Sequence, residues 1–199
     1  MIYEIRTYTF QSGRLEDFVA AFEAEALPVL APRLLGFWRA ESGILNRAVH
    51  LWEHEDRTGR AHIRAKNARD LTDFASKALS MMREQHAVLC DGEVNRPAPL
   101  PTSVFDLVSA EPLGDDVEIG ELFAVITTWL GRHFHVAASL RGEGVGRRKL
   151  VWLLRAGSLA LRDESWRAAM AARSGLSAAA RTLRLESDLL IPAPFSPLH

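Results

Sequence analysis

An α+β fold made of two successive β-α-β-β-α-β units, each an antiparallel sheet with helices on one face, is what this sequence predicts. Three observations carry the prediction. Apolar residues alternate or recur at helical spacing in the order strand, helix, strand, strand, helix, strand. That order returns after the proline-rich stretch Pro97-Ala98-Pro99-Leu100-Pro101. The tripeptide Pro-Ala-Pro closes both halves, at residues 97–99 and 192–194.

In the first half, Ile2 to Phe10 alternates and is rich in β-branched and aromatic residues, so it reads as a strand that Ser12 and Gly13 interrupt. Leu15, Phe18, Val19, Phe22, Ala26 and Val29 form a helical stripe, with Ser12 as the expected N-cap and Pro32 as its exit. Gly36 to Ser42 and Arg47 to His54 form a hairpin through Gly43 and Asn46. Helical patterns over Thr58 to Asn67 and from Leu71 to Met82, broken near Asp70, precede a closing strand around Val88 to Asn95. The second half repeats this with strands at Val104 to Ser109, Phe134 to Leu140, Leu150 to Gly157 and Asp188 to Ile191, and helices at Ile119 to Leu130 and Ser165 to Leu183. Gly43 is expected to answer to Gly142, and Trp52 to Trp152, which puts Leu150 at the place of His50. A duplicated ferredoxin-like unit accounts for this order better than one doubly wound sheet, with units at 1–96 and 104–199 and a linker at 97–103.

Composition excludes several function classes. With 24 basic against 25 acidic side chains, the chain has no electrostatic footprint for nucleic acid. Cys90 is the only cysteine, so no intrachain disulfide exists. No apolar run approaches the ~20 residues that a membrane span needs, and no signal-like segment follows Met1, so a soluble cytoplasmic protein is expected.

Strand parity nominates the site. Tyr3, Ile5 and Thr7 share one face of the first strand and Glu4, Arg6 and Tyr8 the other; Val49 and Leu51 likewise oppose Ala48, His50 and Trp52. The apolar sets are expected beneath the helices. Glu4, Arg6, Tyr8, His50 and Trp52, with Trp38 or Arg39 depending on register, are then expected to face a barrel interior as a small-molecule pocket. His50 would act as general base or acid, Arg6 would hold a carboxylate or enolate oxygen, and Glu4, Tyr8, Trp38 and Trp52 would contact the ligand. The bland alternative makes Arg6 and Glu4 a structural ion pair, has His50 donate to a backbone carbonyl and leaves Trp52 as packing.

Other motifs carry less. His50 and His54 lie about 13 Å apart along a strand, too far to share a metal, and His54 with Glu55 and Asp56 reads as a solvated strand end. His133 and His135 lack a third ligand, so no metal is expected. Arg57, Arg60 and Arg64, continued by Lys66 and Arg69, read as a solvated helix face. Gly142-x-Gly144-x-Gly146 sits in a hairpin turn rather than at a helix N-terminus, which argues against a phosphate cradle, and no cofactor motif appears.

Ile2-Tyr3-Glu4-Ile5-Arg6-Thr7-Tyr8, Gly13 and Leu45-Asn46-x-x-x-His50-Leu51-Trp52 resemble the NIPSNAP domain over residues 1–96, with 104–194 as a diverged copy. The resemblance implies a unit of the dimeric α/β-barrel type, a group that includes cofactor-free monooxygenases, haem-associated enzymes and stress-responsive proteins. It implies no single reaction. The expected function is therefore binding of a small aromatic or carbonyl-bearing molecule, with His50-assisted proton transfer or cofactor-free oxygenation as the enzymatic version. A ligand or haem carrier and a protein-interaction module are the alternatives. A bare sheet face must be covered by an intrachain barrel or by a homo-oligomer, and the sequence leaves both open.

Overall fold

The computed structural model describes residues 1–96, 98, 100, 102–112, 116–144 and 147–198. The strands are β1 (Ile2–Phe10), β2 (Leu34–Ala40), β3 (Arg47–His54), β4 (Met82–Val94), β5 (Val104–Ala110), β6 (His135–Gly144), β7 (Arg147–Ala156) and β8 (Glu186–Pro192). The helices are α1 (Leu15–Ala21), α2 (Leu27–Leu30), α3 (Arg57–Asp70), α4 (Thr72–Met81), α5 (Asp116–Gly131), α6 (Leu159–Ala172) and α7 (Ala178–Thr182). Among the described residues, no helix is long and apolar enough to cross a membrane.

All eight strands close one antiparallel barrel in the order β1-β3-β2-β8-β5-β7-β6-β4. Read within each half, the order is β4-β1-β3-β2 and then β8-β5-β7-β6, the same pattern twice. The intrachain barrel is thus the way this chain covers its inner sheet faces. Two seams join the halves. At one, β2 pairs with β8 from Trp38↔Pro192 to Ala40↔Leu190; at the other, β4 pairs with β6 from Leu89↔Glu143 to Val94↔Ala138. β4 begins well ahead of the expected Val88 because its first part, from Met82, pairs along β1, while the expected part from Leu89 to Val94 forms the second seam with β6.

Local sequence accounts for the remaining differences. The expected single helix from Leu15 is split by a wide π turn over Phe22–Ala26, after which Pro28 opens α2. Proline has no N–H for its i−4 carbonyl and its ring would clash there, so the backbone widens ahead of it. The N-cap of α1 is Arg14 rather than Ser12, without a side-chain hydrogen bond. The long second helix begins at Leu159 because Ser158 caps it, its Oγ accepting from the Leu161 N–H at 3.3 Å. It ends in a 3-10 turn over Arg173–Gly175. Pro97, Pro99 and Pro101 of the expected linker, and Gly146, lie outside the described residues.

The barrel interior is apolar and draws on both halves, with Tyr3, Ile5, Trp38, Leu51, Phe105 and Leu153 packed together. Trp38 and Phe105 meet at 5.4 Å between ring centroids. The Trp38 indole folds back over Gly36, where any Cβ would collide with the ring, so this approach requires glycine.

Candidate functional site

The parity reading groups the residues as the structure does, and the faces are reversed. Val49 and Leu51 point into the barrel, whereas His50 and Trp52 lie beneath the helices. Glu4, Arg6 and Tyr8 share that outer face. Trp38, nominated with them, is on the barrel side, opposite Val49 in the β2–β3 register; Arg39 faces outward and pairs with Glu16 at 3.1 Å. The physical reason is closure. A closed barrel makes its inside the drier side, so the apolar set goes there, and the looser sheet–helix layer receives the polar set.

That layer holds a cavity of about 640 Å³. Its floor is Arg6, Tyr8, His50 and Trp52 from the sheet, and Phe18, Phe22 and Phe74 from the helices form the walls. Arg33, Arg64 and Lys66 stand among its lining residues, and among the described residues no Asp or Glu does. The cavity is aromatic within and electropositive.

His50 is 1% exposed and ringed by aromatic groups, stacked on Phe37 at 4.3 Å and edge-on to Tyr8 at 4.9 Å and Phe22 at 5.3 Å. Neither Nδ1 nor Nε2 has a hydrogen-bond partner among the described residues, and the Trp52 indole N–H has none either. The expected bond from His50 to a backbone carbonyl is not made. Burial, and then the Arg6 charge, hold the imidazole well below its usual range, so it is neutral at pH 7.

Behind the cavity, Glu4 is fully buried and fully engaged. Arg60 grips it through a fork of 2.6 and 2.9 Å, Arg6 Nε lies 3.0 Å from Oε1, and His54 Nε2 lies 3.2 Å from Oε2. Burial opposes ionisation of Glu4, yet the bonds from His54 and Arg60 and the charge of Arg6 outweigh it and hold the carboxyl far below its usual range. The ion pair of Arg6 with Glu4 therefore exists, but Arg6 keeps Nη1 on the Tyr8 hydroxyl at 3.3 Å and still lines the cavity. His54 is no solvated strand end: it is 4% exposed. Asp56 instead caps α3, accepting from the Gly59 N–H at 2.7 Å, which sets Arg60 one turn inside the helix and over Glu4. The basic stripe is accordingly divided, with Arg57 and Arg64 exposed and Arg60 half-buried against the carboxylate.

The second half supplies an internal control. Strand register sets Arg6 opposite His50 and Val108 opposite Trp152, while Glu4↔Trp52 matches Asp106↔Leu154. Trp152, not Leu150, thus occupies the place of His50, and Leu154 that of Trp52. Gly142 lies within β6 paired with Lys149, so it does not answer to Gly43, which precedes β3. Equal sequence spacing misaligned these pairs. Asp106 repeats the Glu4 lock, with Arg162 forked on it at 2.7 and 2.8 Å. The matching positions of β5 and β7 are apolar: Val108, Ala110, Trp152, Leu154 and Ala156 stand where the first half has Arg6, Tyr8, His50, Trp52 and His54, and Leu150 stands at the place of Ala48. Trp152 fills the space, stacking on Phe123 at 5.3 Å with its N–H on Thr127 at 2.8 Å.

Sequence reasoning missed His54, the helix residues Phe18, Phe22 and Phe74, and the cations Arg33, Arg64 and Lys66. His54 shares strand parity with His50, and Phe18 and Phe22 lie on the α1 stripe, so those signals were present. Arg64 and Lys66 belong to the basic run read as a solvated helix face, and Arg33 alone had no signal.

Residues 3–90 match the NIPSNAP family. The human protein NipSnap homolog 3A is 29% identical over 72 residues, covering 35% of this chain and 29% of that protein. This chain therefore spans less than a third of that relative. A NIPSNAP domain protein from Burkholderia xenovorans is 28% identical over 49% of this chain and all of its own, with a TM-score of 0.45. Over the full length, an anthrone oxidase-like protein superposes with a TM-score of 0.66 at 7% identity, covering 100% of this chain and 94% of its own. The last likeness is one of fold. The NIPSNAP match covers the half that holds the cavity, and the polar floor residues all fall within it.

Proposed function

We propose that this protein binds a small planar molecule bearing a carbonyl or ionised oxygen in the NIPSNAP-like half, between the sheet and the helices. The observation that carries the reading is His50: a buried, neutral imidazole with both nitrogens unpartnered at the floor of an aromatic cavity. An unmet buried polar group costs about 1–3 kcal/mol, and the second half dispenses with it by using Trp152. On this reading His50 meets a ligand oxygen or hydroxyl, Arg6 supplies positive charge, and Trp52 with Phe18, Phe22 and Phe74 clasps the ring. Proton transfer or oxygenation at His50 is the catalytic extension. The low basicity of His50 suits a hydrogen-bonding group more readily than a strong base.

The second half is read as a diverged copy whose site has closed, supported by the repeated strand order and the Asp106–Arg162 lock. Haem carriage is disfavoured, because the rings of Phe37, Tyr8 and Phe22 crowd the His50 approach that a porphyrin would need; a Soret band in the purified protein would reverse that view. The test is titration with 2-naphthoate, read by tryptophan quenching. Saturable binding is expected, weakened about tenfold or more by Arg6→Met and by His50→Phe. Absence of binding, or an affinity that neither substitution changes, overturns the reading and leaves a module whose cavity is incidental.

A further inference from the structure

We infer that His54 is a second ligand-facing group of this cavity, its Nε2 committed to Glu4 so that Nδ1 is left to accept a hydrogen bond from a hydroxyl or N–H on the ligand. The inference rests on the reading of the cavity as the binding site and extends it to the class of molecule bound.

Glu4 accepts bonds from Arg6, Arg60 and His54, and an ionised carboxylate has no hydrogen to donate. In the neutral ring of His54 the hydrogen is therefore fixed on Nε2, facing Oε2 of Glu4 at 3.2 Å. Nδ1 then presents a bare lone pair. It is buried, has no hydrogen-bond partner among the described residues, and belongs to a residue that lines the cavity. The second half argues that the histidine is not needed for the lock. Asp106 is held there by Arg162, by the Trp166 indole N–H at 3.0 Å and by the Ser187 hydroxyl at 2.8 Å, and the position of His54 is taken by Ala156. Other donors can close the lock, so an imidazole with a second, unpartnered nitrogen is not required by it.

Spacing then limits the ligand. His50 and His54 are four residues apart on one strand face, about 13 Å along the chain, with Trp52 between them. Hydrogen bonds of about 3 Å at each end leave roughly 7–10 Å between the ligand's own polar atoms. The geometry points to a flat, two- or three-ring molecule with a carbonyl or carboxylate at one end, on His50 and Arg6, and a hydrogen-bond donor at the other, on His54.

The probes are 6-hydroxy-2-naphthoate, 6-methoxy-2-naphthoate and 2-naphthoate, titrated against the intact chain. The hydroxy compound is expected to bind about tenfold more tightly than the methoxy compound, and His54→Ala, which installs the residue of the second half, is expected to erase that preference. Equal binding of the hydroxy and methoxy probes to the unmutated protein overturns the role of His54 and leaves the cavity reading intact. Failure of all three to bind overturns both. Because the hydroxy-to-methoxy ratio is read on the unmutated protein, the inference is decided even where His54→Ala does not fold.

Discussion

Replacing His50 by phenylalanine should stabilise the protein while weakening what the cavity binds. The ring sits among Phe18, Phe22, Phe37 and Tyr8 and adjoins open volume, so a slightly larger apolar ring can be taken in. The substitution removes two buried nitrogens that have no partner among the described residues, a gain of about 1–3 kcal/mol at pH 7. For a chain of this length each kcal/mol moves the melting temperature by roughly 2–4 °C, so a rise of about 2–12 °C is expected. The pH dependence gives an independent check. The folded-state pKa of His50 is depressed, so the unfolded chain binds the extra proton first; the stabilisation is fully present above the unfolded value of about 6.5 and is lost as pH falls below it. Between pH 7.5 and 5.5 this one group should cost the native protein about 1 kcal/mol. Urea denaturation of both proteins at the two pH values measures each quantity, and the variant's slope should be flatter by that amount. If His50→Phe loses 1 kcal/mol or more at pH 7, the imidazole is a satisfied structural group, and His50 and Arg6 should be withdrawn as site residues.

Three further outcomes are expected. Arg162→Met strands the buried Asp106 carboxylate and should cost about 3–5 kcal/mol in urea denaturation, without altering naphthoate binding in the other half; a loss below 1 kcal/mol contradicts the lock. Glu4 has a depressed folded pKa, so its stabilisation is present above an unfolded value of about 4.3 and is lost as pH falls below it; the acid limb of a Glu4→Gln variant should be flatter below that pH, and an unchanged limb refutes the assignment. Cys90 is buried in the barrel with its thiol pushed up to about 12, by burial and then by Asp91, so a disulfide reagent at pH 8 should label it only at the rate of unfolding. Fast labelling of the native protein would show that the barrel wall opens locally.

Period and parity were legible because they are local. Ile2 to Phe10 and Arg47 to His54 alternate over their whole length, and those two strands have the predicted bounds. The same alternation grouped Glu4 with Arg6 and Tyr8, and His50 with Trp52. The starts of β4 and α6 were not legible, since the first depends on pairing with β1, distant in sequence, and the second on a serine cap outside the apolar stripe.

What the sequence by itself determined is which residues stand together on a face; what only the tertiary structure decided is where that face points. Alternation reports that two sides of a strand differ in polarity, and it is blind to which side the closed barrel makes drier. The same holds for the correspondence of the halves. Trp152 replaces His50 by pairing with Val108 as His50 pairs with Arg6, and that identity lies in cross-strand register, to which equal spacing along the chain is no guide. His54 became part of the site for a like reason: Glu4 and Arg60, distant in sequence, converge on one carboxylate only when β1, β3 and α3 are assembled.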